Sequence, residues 1–239
     1  AARGKALADG EVESFKLLLR RLTMRADHER LPEMGRSDIA PFLQDIAVAN
    51  EKTSRVRYLA TLTFRFKAAE VRRFLRELGI EYAETRSKPV LVLPVYRAAG
   101  SIALWDDPNP WREALSGVST GTGLVPYRHP RGDLTDIATI GADQAAKGDR
   151  TSLKAIAQRY KVSDALVAIA TLKASRRGDP ILEIAVNRYG DAQNDQTIVT
   201  SLAAQPGESV TAITLRAATE VASQIEDQWK RDNLLQFDN

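Results

Sequence analysis

The chain of 239 residues contains no cysteine. Structural disulfides, thiolate catalysis, cysteine-ligated zinc and protein-held iron–sulfur clusters are therefore excluded. Compartment is left open, because both the cytoplasm and a bacterial periplasm suit a cysteine-free protein. No apolar run approaches the ~18 residues of a membrane span. Also missing are the GxSxG elbow of a serine hydrolase, the dinucleotide fingerprint GxGxxG and the phosphate loop GxxxxGK[ST]. The nearest glycine-rich piece, STGTGL at Ser119 to Leu124, is short and lacks the lysine, so it is read as a turn before a strand. There is no internal repeat and no low-complexity segment. The formal net charge is only +3. Residues 1–87 hold 17 Lys+Arg against 13 Asp+Glu and residues 88–239 hold 17 against 18, a mild polarity with no basic tail. Nucleic acid is not demanded by such a balance, and no aromatic residues are interleaved with the arginines to stack on bases.

The sequence is organised around Lys88 to Leu115, KPVLVLPVYRAAGSIALWDDPNPWREAL. Val90 to Val95 is apolar at every position except the Pro94 break, which is how a strand buried on both faces reads. A loop with Gly100 then leads to Trp105, Asp106, Asp107, Pro108, Asn109, Pro110 and Trp111. Asn109 suits an N-cap and Pro110 a first helical turn. A buried strand thus delivers a loop with two tryptophans, two carboxylates and an amide to a helix N-terminus. In open α/β sheets the region beyond a strand's carboxyl end is where ligands and partners are met.

Before this stretch, Phe15, Leu18, Leu19 and Leu22 predict an amphipathic helix over Lys5 to Thr23. The polar MRADHERLPEMG reads as a loop, and Ser37 or Asp38 caps a short helix burying Ile39, Phe42, Leu43 and Ile46. From Ser54 to Lys67 the period becomes two, with Val56, Tyr58, Ala60, Leu62, Phe64 and Phe66 facing one way. A helix from Ala68 to Leu78 ends at Gly79, and Ile80 to Ala83 adds a short strand. After it, the expected order is a helix at Trp111 to Leu115, a turn at Gly121 to Gly123 and a strand at Leu124 to Tyr127. The RHPRGDLTD loop follows, then helices at Asp136 to Ala146 and Ser152 to Tyr160. Ala165 to Leu172 is a strand, joined through Gly178, Asp179 and Pro180 to Ile181 to Tyr189. Asn194 and Asp195 turn into Thr197 to Leu202, and a last helix covers Glu208 to Trp229. The fold class is α+β: a small amino-terminal module over 1–87, then a three-layer α/β module over 88–239 with a mixed sheet, a parallel core, an antiparallel edge hairpin and a long carboxyl-terminal helix.

Together, LLLRRLT ending at Thr23, Leu31-Pro32, EKTSRVRYLATLTFRF, VLVLP, the LW and NPW pairs, PRGD and Asp136 resemble the proteobacterial envelope family called domain of unknown function 2066. The resemblance spans Ala2 to about Tyr189. The second module is also similar in topology to the amino-terminal α/β domain of TolB and to curli-secretion (CsgG-like) and lipoprotein-cofactor domains. The first is similar to the amino-terminal module of a periplasmic flagellar-ring assembly protein. What these resemblances imply is an exported, periplasmic, non-enzymatic binding or scaffolding protein of the cell envelope, without a cofactor. Its implied partner is an envelope protein, with an inner-membrane permease as one candidate. The start at Ala1 without a methionine fits a mature or trimmed chain, with the signal peptide and any further carboxyl-terminal domain outside it.

The candidate contact residues are Trp105, Asp107, Asn109, Trp111 and Asp133. Against this stands plugging of the core by Trp105 and Trp111 and capping by Asn109. Arg65, Arg72, Arg73 and Arg76 are candidates for an anionic surface, against the commoner solvated helix face. Two other functions compete. A metal-assisted hydrolase would use Asp106, Asp107, Asp133 and Asp136, with Asp164 a further carboxylate near a strand end, His129 the nearest histidine and His28 in the other module. A carrier of lipid or a small apolar ligand for a permease requires an enclosed apolar cavity. The edge strand Thr197 to Leu202 is open to a partner strand unless the last helix covers it.

Overall fold

The computed structural model describes residues 2–118, 122–190 and 197–235. The chain divides into two compact units, residues 1–85 with 230–239, and residues 86–229. The boundary lies two residues from the expected one, and the last ten residues count with the first unit.

In the first unit, helix α1 (Ala2–Leu22) buries Phe15 and Leu19. A 3-10 turn (Arg25–Arg30) lies within the expected loop, and α2 (Arg36–Ile39) is a single helical turn. The predicted continuation through Leu43 and Ile46 is not helical: both residues lie in strand β1 (Leu43–Thr53). β1 pairs antiparallel with β2 (Tyr58–Phe66), with irregularities between Leu43 and Asp45 and between Ala49 and Lys52. From Ala47 on β1 is exposed on both faces, and the two breaks shift its register, so its sequence carries no strand period. β2 alternates as expected from Tyr58 onward. Val56, however, is 91% exposed in the hairpin bend and is not a core residue. Helix α3 (Ala68–Glu77) buries Val71 and Leu75, and Gly79 follows at φ +64°. In place of a strand at Ile80 to Ala83 there are only single bridges of Tyr82 to Thr23 and to Leu235. Phe15, Phe42, Phe66 and Phe74 pack in the core with tilted or edge-on rings at centroid distances of 5.1–5.2 Å. The Lys230 ammonium donates to the carbonyls of Arg20 and Thr23, 3.1 and 2.9 Å away, where the carboxyl end of α1 presents its negative pole.

The second unit is a six-stranded sheet between helices. β3 (Val90–Ala98) pairs parallel with β5 (Tyr127–Arg128) and β6 (Asp164–Ala174). It pairs antiparallel with β4 (Ser101–Ala103), and β6, β7 (Pro180–Tyr189) and β8 (Thr197–Ala203) form an antiparallel run. Helix α4 (Pro110–Gly117) and α8 (Val210–Asp232) supply Trp111, Leu115, Ile213, Ala217 and Val221 to one face of the sheet. The other face is covered by Ile140, by Ala145 of α6 (Ala142–Lys147) and by Leu153 and Ile156 of α7 (Arg150–Arg159). Alternate residues of β3 thus enter opposite cores, so the strand is apolar at every position. Pro94 is tolerated in it because of where its backbone points. Its carbonyl accepts from Asn109 Nδ2 at 3.2 Å, and Val90, of the same parity, donates to Pro126. The nitrogen of Pro94 therefore faces away from β6, and no bond of the β3–β6 ladder is lost.

Three expectations change here. The piece around Gly100 is a tight hairpin, with Ala99 at φ +49° and Gly100 at φ +77°, so β4 returns antiparallel to β3. The tryptophan loop consequently lies beside the middle of β3 and not beyond its carboxyl end. The single helix expected over Asp136 to Ala146 is two, α5 (Leu134–Thr139) and α6, separated by Ile140 and Gly141. The strand expected from Leu124 reduces to the two residues of β5. Of the predicted turns, Gly121 and the Asn194-Asp195 pair lie outside the described residues.

Candidate functional site

The residues that converge belong to the PRGD loop, α5, the end of α7 and the tryptophan loop. Asp133 is the N-cap of α5: its Oδ1 accepts from the backbone N–H groups of Thr135 and Asp136 at 3.1 and 3.0 Å. Gly132 holds φ +71°, a left-handed value that glycine adopts without strain, and a Cβ there would lie in ordinary contact with the Trp105 ring at 3.4 Å. Asp136 is completely buried. Its carboxylate accepts from Arg159 Nε at 2.7 Å, from the Tyr160 hydroxyl at 2.6 Å and from the Gly132 N–H at 2.9 Å. Burial pushes its pKa up, but the bonds from Tyr160, Arg159 and Gly132 outweigh it and hold the carboxyl below its usual range. The Tyr160 hydroxyl is pushed up by burial and by donating to that carboxylate. Arg159 also reaches Asp133 Oδ2 at 2.6 Å, and Tyr160 accepts from the Arg131 N–H at 2.8 Å.

Trp105 fastens both ends of α5. Its ring lies against Gly132, and its indole N–H donates to the Ile140 carbonyl, at the helix C-cap, at 2.7 Å. Arg112 holds the tryptophan loop in turn, donating to the Trp105 carbonyl at 2.8 Å and to Asp107 at 2.6 Å. The outcome is a helix built inside out. It buries Asp136, while Leu134 is 84% and Ile137 49% exposed. Leu134 and Ile137 have helical i, i+3 spacing, and water-facing apolar residues beside a buried carboxylate reverse the ordinary amphipathic arrangement; Ile140, just past the helix, is wholly buried in the sheet's core.

Of the five residues expected at a contact, Asn109 and Trp111 are wholly buried and present nothing to a partner. Asn109 caps α4, accepting from the Arg112 N–H at 2.9 Å and donating to the carbonyls of Pro94 and Leu104. Trp111 fills the core and donates to the Ala168 carbonyl at 2.9 Å. Trp105 is half-buried, Asp107 exposed and Asp133 partly exposed. Leu134, Ile137, Arg159 and Tyr160 were not singled out from sequence. Their only signal was an apolar i, i+3 pair directly after a PRGD turn.

The four candidate carboxylates do not assemble a metal centre. Asp107 faces Arg112, Asp133 and Asp136 face Arg159, and Asp106 points to solvent. Asp164 lies elsewhere, at the start of β6, with Arg188 on it. Among the described residues there is no group of three His, Asp or Glu spaced to hold an ion. His129 lines a small apolar pocket with Tyr127 and away from these carboxylates, and burial lowers its pKa. His28, in the first unit, has its Nε2 near the Arg20 and Thr23 carbonyls, and burial lowers its pKa too. The pocket beside His129 measures about 20 Å³, and a separate cleft of about 320 Å³ edged by Arg150 and Lys154 is open to solvent. Neither is an enclosed chamber for an acyl chain. Arg65, Arg72 and Arg73 face Asp45, Glu84 and Glu70, so among the described residues only Arg76 of the expected basic stripe lacks an acidic partner.

A mixed parallel and antiparallel sheet with helices on both faces, joined to a smaller helix-and-hairpin unit, defines an α+β protein. No family model matches the chain. No curated protein matches it either. Among solved structures it is similar to a PelC dodecamer of Paraburkholderia phytofirmans, with 10% identity, a TM-score of 0.36, and coverage of 60% of this chain and 91% of that one. It is also similar to lipoprotein GNA1162 of Neisseria meningitidis, with 12% identity, a TM-score of 0.37, and coverage of 58% and 96%. Likeness of this size carries no conclusion about function. No helix among the described residues is long and apolar enough to cross a membrane.

Proposed function

We propose that this is a non-catalytic binding or scaffolding protein of a bacterial envelope, working in the periplasm and recognising a protein partner on the exposed face of α5 and the adjoining PRGD and tryptophan loops. The observation that carries the recognition surface is the inversion of α5. Leu134 and Ile137 stand in water while a buried Asp136, three donors and the Trp105 clamp hold the helix rigidly. A preorganised apolar knob rimmed by Arg131, Asp133, Arg159 and Asp107 suits a partner with an apolar hollow and charges of both signs. Envelope location rests on the resemblance to domain of unknown function 2066, which also makes an inner-membrane permease the first partner to test. The basic residues of α3 support membrane contact less, since their charges are largely spent on neighbouring carboxylates. The metal-hydrolase and apolar-carrier readings have no comparable observation behind them.

The experiment is a crosslinking capture from the envelope of the protein's own host, comparing wild type with a Leu134→Asp, Ile137→Asp double variant. Both positions are exposed, so stability should change by less than about 0.5 kcal/mol. A specific partner lost in the double variant is the expected result. A partner retained at wild-type levels moves recognition to another surface, and capture of no specific partner removes the reading.

A further inference from the structure

We infer that β8 is a self-pairing edge through which two copies of this chain join their six-stranded sheets, antiparallel, about a two-fold axis at Thr200. The backbone parity sets which groups are available. Ala204 donates to Pro180, so in the continuous β7–β8 register Ile198, Thr200 and Leu202 turn their N–H and C=O groups toward β7. Those of Thr197, Val199, Ser201 and Ala203 point outward. Among the described residues no backbone bond reaches them, and the one side chain that does is Arg216, which donates to the Ala203 carbonyl at 2.9 Å. α8 does not cover this edge. It packs on the sheet face, beneath Ile198 and Leu202, and Val199 remains 76% exposed.

Sheet edges that must stay single are ordinarily guarded by charge, proline or a bulge. β8, TIVTSLA, has none of these, and its register to β7 has no shift. The strand is also complementary to itself. Centred on Thr200, antiparallel pairing places Val199 opposite Ser201 and Thr197 opposite Ala203, with the outward groups bonding in pairs. On the α8 side Ile198 meets Leu202 of the second copy and the two Thr200 residues meet each other, all in the closer, non-bonded positions. The strand itself carries no charge to repel a second copy or to attract an acidic or basic partner, and the Arg216 guanidinium that reaches this edge from α8 is paired with Glu208. This edge is separate from α5, so the two surfaces can be tested independently.

The absence of cysteine makes the test direct, using the full chain. Thr200→Cys places the two thiols on the axis, with α-carbons about 4.5 Å apart, inside the usual range for a disulfide. Sedimentation of the wild type over a range of concentrations should show a dimer, and oxidised Thr200→Cys should run as a covalent dimer. Val56→Cys, exposed in the first unit, reports collisional crosslinking and should stay largely monomeric. Val199→Pro deletes an outward N–H and no bond to β7, so it should sediment as a folded monomer with an unchanged circular dichroism spectrum. Ser201→Lys, which adds a charge on the open face, should do the same. A wild type that stays monomeric at every concentration overturns the proposal, including the case in which Val199→Pro abolishes capture of a different protein. So does a dimer that Thr200→Cys fails to lock or that both edge variants leave intact.

Discussion

Asp136 is a charged group that holds its surroundings together from inside. Replacing it with Asn keeps an acceptor for Gly132 but removes the charge that Arg159 and Tyr160 address. Hydrogen bonds to a charged group contribute roughly 1.5–3 kcal/mol, and the partial exposure of Arg159 argues for the lower part of that range. Asp136→Asn should therefore lower unfolding free energy by about 2 kcal/mol in urea titrations. Its folded pKa lies below its unfolded one. The contribution is thus fully present above the unfolded value and is lost as pH falls through the folded value. Stability of the wild type should fall more steeply with acid than that of Asp136→Asn, and parallel curves would show that the carboxylate is not held as described. Trp111 is a larger but chemically plainer case. Wholly enclosed and bonded to Ala168, it should cost about 3–5 kcal/mol on replacement by Ala, whereas the exposed Leu134 should cost little. The two tryptophans that look alike in sequence differ because one enters the sheet's core and the other clamps a surface helix.

At the scale of elements, α5 depends on things outside itself. Six residues are too few for a helix to persist alone, and its own apolar pattern points the wrong way for burial. Asp133, Gly132 and Trp105 fix its ends. Gly132→Ala forces a side chain into a left-handed position against the Trp105 ring, at a cost of about 1–2 kcal/mol. It should weaken partner capture even though position 132 offers a partner no side chain. Unchanged capture with unchanged stability would show that α5 is not held by this turn. The elements most legible from sequence were those whose period matched their burial: α1, α3, β2, β3 and β6. β1 is hard to read because most of it is exposed on both faces and its register is broken, and a single glycine at position 100 does not reveal that the chain returns as a hairpin. α5 misled for a stronger reason. Its spacing calls for Leu134 and Ile137 to be buried, and only Arg159 and Tyr160, more than twenty residues later, make burial of the aspartate cheaper.

Over the whole molecule, protection from exchange should follow the same layering. Amides in the middle of β3 and β6, enclosed by helices on both faces, should exchange most slowly. Those near the β1–β2 bend around Val56 should exchange first, since a two-stranded ribbon has little stability of its own. Mass spectrometry of exchanged peptides reads this directly, and equal protection in both regions would contradict it. Calorimetric titration with millimolar Mg²⁺ or Mn²⁺ should give no specific heat, because Asp107, Asp133 and Asp136 are engaged by arginines and no three carboxylates converge among the described residues; saturable binding lost in Asp107→Ala would restore the hydrolase reading. By itself the sequence determined the α+β class, the doubly buried strand, the Asn109 cap, the Gly79 stop and the exclusion of thiol chemistry, because each is written in local periodicity, turn residues or composition. The tertiary structure alone decided which carboxylates meet arginines, which tryptophan is hidden, that α5 turns its apolar side outward and that β8 is left at an edge. Those are contacts between segments far apart in the chain, and no local pattern records the neighbour that makes one arrangement lower in free energy than another.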